Sequence, residues 1–154
     1  MKNKKIKILL NFLNADECLK IINNTYDKNA LVDRILVEIK KYFITDIKGF
    51  NIDIPKELVL KKYSVDQKYT NFKAVDENYL SFLIQLNDDY SDGYFQFLLD
   101  GGDSYFQVHH GMGHLVLFFS NLDKRTTPVT SGIKYTLTGD ISLIKLNNSD
   151  KTLI

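Results

Sequence analysis

Three histidines fall within six positions, His109, His110 and His114, with Gly111 and Gly113 between them. Imidazoles at such spacings can converge on a transition metal. The segment reads as a turn leading into a strand, and neighbours on a strand point to opposite faces, so His109 and His110 do not readily share an ion. Polar loop histidines are the simpler reading. Cys18 stands beside Leu19 on an expected helix with no histidine nearby to activate it, and it reads as a small buried hydrophobe. No Ser–His–Asp arrangement, phosphate-cradling glycine loop or Cys-x-x-Cys pair occurs. Chemistry is therefore sought in the elements that bring distant residues together.

The chain has 154 residues, 44% of them hydrophobic and 25% charged, enough for one core and inconsistent with disorder. Twenty basic residues against nineteen acidic ones leave a net charge of +1, which carries no nucleic-acid or membrane-surface signal. Apolar runs such as 115–119 are far too short to span a bilayer. The basic and then apolar start is broken by Asn11, Asp16 and Glu17 before a signal-peptide core can form. With a single cysteine, no internal disulfide is possible, and a cytoplasmic protein is expected.

Helices come first. Asn14 followed by Glu17 predicts a capping box, and Leu19, Ile21, Ile22 and Tyr26 continue the apolar face. A second helix is expected over 30–43, where Leu31, Val32, Ile35, Leu36, Ile39, Tyr42 and Phe43 repeat at threes and fours. After Gly49 the pattern turns to short strands, expected at 58–65, 67–75, 79–87, 93–98, 105–109, 114–120, 125–130, 132–138 and 141–146. Ile6 to Leu10 is a candidate edge strand. Two helices before so many strands predict an α+β, mainly β domain: a barrel or sandwich with the helices packed on one sheet. Tyr90, Tyr94, Phe95 and Tyr105 cluster at expected turns and are candidates for an exposed recognition surface.

Five stretches in order carry a family likeness. They are Asn11-Phe-Leu-Asn-Ala-Asp-Glu-Cys-Leu-Lys-Ile-Ile22, Tyr79-Leu-Ser-Phe-Leu-Ile-Gln-Leu-Asn-Asp-Asp-Tyr90, Asp92-Gly-Tyr-Phe-Gln-Phe97, Gly111 to Ser120, and Thr127-Pro-Val-Thr-Ser-Gly-Ile-Lys-Tyr-Thr-Leu137. Together they resemble the prolyl-4-hydroxylase branch of the 2-oxoglutarate and Fe(II)-dependent oxygenases. The resemblance implies a double-stranded β-helix (jelly roll), one domain over 1–154, with its helical part at 14–45 and its strands at 58–146.

The same resemblance implies three iron ligands: a His-x-Asp pair after a tyrosine-bearing strand, and a distal His shortly before the Pro-Val segment. Tyr69-Thr-Asn-Phe-Lys-Ala74 falls on the first motif, so Phe72 and Ala74 stand for His and Asp, and Lys124 stands for the distal His. Neither a phenyl ring nor a methyl group has a lone pair to give. A protonated lysine repels the metal: charges of +1 and +2 about 4 Å apart cost about 8 kcal/mol at an effective dielectric near 20. Lys134 falls where the family holds the distal carboxylate of 2-oxoglutarate with Arg or Lys, and it reads either as a retained anion anchor or as a solvent-facing strand lysine. Lys124 either takes over the metal's charge or points into water. Tyr63 and Tyr69 either line the same pocket or fill the core.

These departures point to a pseudoenzyme with no metal cofactor. It is expected to act as a binding module for a small anion, 2-oxoglutarate or another, held without iron, or for an unknown protein partner. The alternative is an active dioxygenase with non-standard ligands such as Asp76 and the His109–His114 group.

Overall fold

Asn14 opens the first helix as its spacing from Glu17 predicts. The Asn14 side chain accepts from the Glu17 N–H at 2.8 Å, and Glu17 Oε1 accepts from the Asn14 N–H at 3.0 Å. Helix α1 spans Ala15–Ile22, and α2 spans Lys28–Tyr42 with Asp27 as its N-cap. The second helix starts two residues earlier than the apolar pattern predicts, because capping by Asp27 needs no apolar residue. Arg34 of α2 ties the helices together, pairing with the Glu17 carboxylate and donating to the Phe12 carbonyl at 2.8 Å.

The structure, a computed structural model, describes residues 5–53, 57–66, 72–74, 79–99, 102 and 104–146. Its strands are β1 (Ile6–Leu9), β2 (Phe50–Asp53), β3 (Val59–Tyr63), β4 (Tyr79–Gln85), β5 (Ser91–Asp92), β6 (Phe95–Leu98), β7 (Tyr105–Gln107), β8 (Leu115–Phe119), β9 (Lys124–Thr126), β10 (Val129–Ser131) and β11 (Lys134–Lys145). A large sheet runs β1-β8-β4-β11-β2, with β3 also paired to β11. A three-stranded sheet runs β7-β6-β9, and β5 pairs with β10. Every described pairing is antiparallel. The chain is thus mainly β with two helices, consistent with a jelly roll.

Alternation along the large sheet divides its side chains between two cores. Leu80, Phe82 and Ile84, Leu115, Leu117 and Phe119, and Leu137, Ile141 and Leu143 meet Ile21, Leu31, Ile35, Ile39 and Phe43 from the helical side. On the other face Leu83, Val116 and Phe118 meet Phe95 and Phe97 of the small sheet, with Val108 and Leu122 closing the ends. Each fully buried Leu or Phe contributes about 2 kcal/mol. Cys18 lies in the helical core at 1% exposure, and burial raises its thiol to about 11.

Several sequence expectations need correction. Strand β2 went unpredicted, since only Phe50 and Ile52 of its four residues are apolar and pairing with β11 is what extends it. The expected strand 125–130 is two strands, because Pro128 between them has no N–H for a ladder. The expected strands 132–138 and 141–146 are one continuous β11. Gly139 makes no turn there: a Cβ at that position would stand 2.5 Å from Phe82 Cζ, so glycine makes room for the ring. Most of the expected strand 67–75 lies outside the described residues. No helix among the described residues is long and apolar enough to cross a membrane.

Candidate functional site

Lys73 and Lys124 form an isolated antiparallel bridge, each N–H donating to the other's carbonyl at 2.9 and 2.8 Å. Residues directly opposed in such a bridge share a face, and their neighbours share the other. Phe72 therefore opposes Arg125, whose guanidinium carbon lies 4.1 Å from the Phe72 ring centroid. Arg125 Nε in turn donates to Gln96 Oε1 at 2.8 Å, and Gln96 donates to Gln107 at 2.7 Å. This polar row runs along the outer face of the small sheet. Lys124 is in register with the fully buried Phe97, and its ammonium lies 5.7 Å from the Phe118 ring, so it faces inward.

The three positions expected to surround one point are therefore split. Lys124 is on the inner face; Phe72, and Ala74 by alternation, are on the outer one. A strand register displaced by one residue exchanges its faces; Lys73 rather than Phe72 stands opposite Lys124 in the bridge, and its side chain is exposed. Lys124 Nζ donates to the Ser120 carbonyl at 3.1 Å. An ammonium offers no lone pair, and no group of three or more His, Cys, Asp or Glu side chains among the described residues is placed to hold a metal. The described donor set does not fit a ferrous ion. Asp76 and Tyr69 lie outside the described residues. The histidines part company: His109 is exposed, His114 Nδ1 accepts from the Asn11 N–H at 3.2 Å, and His110 Nδ1 lies 3.0 Å from the Tyr90 hydroxyl.

Lys134 is not a solvent-facing lysine. It is 0% exposed, donates to the Gly93 carbonyl at 2.7 Å, and lies 5.7 and 5.8 Å from the rings of Tyr63 and Tyr90. Among the described residues, none of its contacts is a carboxylate. Burial pushes its pKa from 10.5 down to about 8. Tyr63 is in register with it on β3.

Further polar groups gather around this lysine. Thr136 follows two residues along the same face of β11 and pairs directly with Gln85 of β4. Both are 0% exposed. Gln85 Oε1 accepts from the Gly111 N–H at 2.9 Å, which brings the 110–111 segment alongside. The His110 ring stacks on Tyr94 with centroids 4.3 Å apart. Burial, and then the Lys134 charge, lower its pKa. Gln85 Nε2, Thr136 Oγ1 and His110 Nε2 are all buried without a hydrogen-bond partner among the described residues. Such orphaned groups cost about 1–3 kcal/mol each; Thr136 lies two residues from Lys134 on the same strand face, opposite Gln85, and the Lys134 charge acts on His110.

Sequence reasoning missed Gln85, Thr136, Tyr90 and His110 as members of this cluster. One signal was present: Gln85 is the lone amide at an inward position of an apolar strand. The expected aromatic recognition surface is also corrected. Tyr90 and Phe95 are buried, and only Tyr105, at 51%, is well exposed.

No family model matches the chain, and no curated protein matches it by sequence. Its architecture is that of the prolyl hydroxylases and other 2-oxoglutarate/Fe(II) oxygenases. A Pseudomonas putida prolyl-4-hydroxylase aligns with a TM-score of 0.67 at 17% identity, over 94% of this chain and 87% of that one. The viral collagen prolyl hydroxylase of Paramecium Bursaria Chlorella virus-1 aligns with a TM-score of 0.66 at 15% identity, over 92% and 91%. HygX from Streptomyces hygroscopicus, solved with nickel and 2-oxoglutarate bound, aligns with a TM-score of 0.71 at 13% identity, over 90% and 82%. At these identities the likeness shows the fold alone.

Proposed function

We propose that this chain is a non-catalytic member of the oxygenase fold: a double-stranded β-helix, one domain over 1–154, that binds a small anion without a metal. One observation carries the reading. The Lys134 ammonium is wholly buried, and its hydrogen-bond acceptor among the described residues is a neutral carbonyl. A buried charge without a counter-charge is costly, and an anionic ligand relieves that cost. The partnerless Gln85, Thr136 and His110 atoms supply further polar contacts for it. Ligands of this class are 2-oxoglutarate, other small carboxylates and phosphates. The single cysteine supports a cytoplasmic setting.

Anaerobic calorimetric titration tests this, with 2-oxoglutarate added in the presence of a chelator and again with Fe(II), followed by a succinate-release assay. Metal-independent binding that Lys134→Ala abolishes is the expected result. Iron-dependent succinate release would instead establish an active oxygenase. Absence of anion binding in either condition would turn the search toward a protein partner.

A further inference from the structure

We infer that the Asp92–Gly93 turn is a built-in plug of the anion site, its backbone carbonyl occupying on Lys134 the place that an incoming ligand oxygen takes. The inference rests on the anion-site reading and adds how that site is controlled.

The turn is an unusual piece of backbone. Asp92 and Gly93 both take positive φ, 59° and 63°. Asp tolerates this conformation at some cost, while Gly93 has no alternative: a Cβ there would stand 2.6 Å from Val129 Cγ2. Two successive left-handed residues turn the Gly93 carbonyl inward onto the Lys134 ammonium, 2.7 Å away. The turn is strapped to β10 from outside the site. Thr130 Oγ1 donates to the Asp92 carboxylate, the Gly93 N–H donates to the Pro128 carbonyl at 3.0 Å, and Ser131 Oγ meets Ser91 Oγ at 2.8 Å.

Because Lys134 is 0% exposed, no ligand reaches its ammonium while the carbonyl stays in place. A neutral carbonyl is also a weaker partner for an ammonium than a carboxylate or phosphate oxygen. The closed turn is therefore strong enough to satisfy the lysine and weak enough to be exchanged. Binding and opening are one event, and the observed affinity is the intrinsic affinity reduced by the fraction of molecules that are open.

Peptide planarity supplies the readout. The Gly93 carbonyl and the Tyr94 N–H belong to one rigid unit, so moving the carbonyl off Lys134 draws the Tyr94 N–H from Thr127 Oγ1, its acceptor at 2.7 Å.

The test measures amide hydrogen exchange of the wild-type protein with and without saturating 2-oxoglutarate, and the 2-oxoglutarate affinity of Thr130→Val, a variant at an exposed residue that does not touch the lysine. Exchange at Tyr94 should quicken on ligand addition while the core amides slow. Thr130→Val should bind about three- to tenfold more tightly, as expected from losing one charge-assisted bond that holds the closed form. Binding with Tyr94 unchanged or protected, or a folded Thr130→Val with equal or weaker affinity, overturns the plug and leaves the anion site standing. If neither protein binds 2-oxoglutarate or inorganic phosphate, the site and its plug fall together.

Discussion

Replacing Lys134 by methionine should make the protein more stable, although it removes a fully buried side chain's hydrogen bond. The lysine's pKa falls from 10.5 to about 8 on folding, a difference worth about 3 kcal/mol. The sign follows from proton counting. Between the folded and the unfolded pKa the unfolded chain holds more protons, so stability rises with pH across that window, and below it the penalty is present in full. Methionine has similar reach and no charge. Its cost is the Gly93 carbonyl left without a donor, about 1 kcal/mol. The net gain at pH 7 is about 2 kcal/mol, or about 4–8 °C in Tm for a chain of this size. Urea unfolding of both proteins at pH 7 and pH 10, in buffers free of phosphate and carboxylates, reads it directly. The gap should be about 2 kcal/mol at pH 7 and close to about zero by pH 10, where the wild-type lysine no longer bears most of its desolvation penalty. A variant less stable at pH 7, or a gap that does not change with pH, would refute the idea that an unpaired buried charge sits at this position.

Four further outcomes are expected. Asn14→Ala removes one half of the capping box and should cost about 1 kcal/mol in urea unfolding, with the anion affinity unchanged. The Phe72→His, Ala74→Asp, Lys124→His triple variant should gain no tight iron site, since its new side chains lie on opposite faces of the small sheet. Lys73→His with Lys124→His sets two imidazoles across one bridge and should bind nickel measurably in a calorimetric titration; the reverse ranking would show the face assignment to be wrong. Cys18, buried in the helical core with its thiol raised to about 11, should resist a thiol reagent at pH 8 until the protein unfolds, so rapid labelling of the native protein would contradict its placement.

Local features were readable in the sequence because local chemistry creates them. The Asn14–Glu17 cap, the Leu31–Ile39 stripe of α2, and the apolar runs of β4 and β8 each depend on neighbours a few residues away, and each appears where its pattern predicts. The order of helices before strands, and with it the fold, followed. The sequence also singled out Lys134 and Tyr63, although for Lys134 it left an interior anchor and a solvent-facing lysine both open. What it could not decide is which face each residue takes. Phe72 parts from Lys124 because of a bridge between residues 51 apart in the chain, and a slip of one position there reverses inside and outside. The gathering of Gln85, Thr136, Tyr90 and His110 around Lys134, and the delivery of the Gly93 carbonyl onto its ammonium, likewise arise only where separate strands and turns meet. Residue type and spacing determine what a segment can form, whereas the partners that share a buried charge are chosen by long-range register.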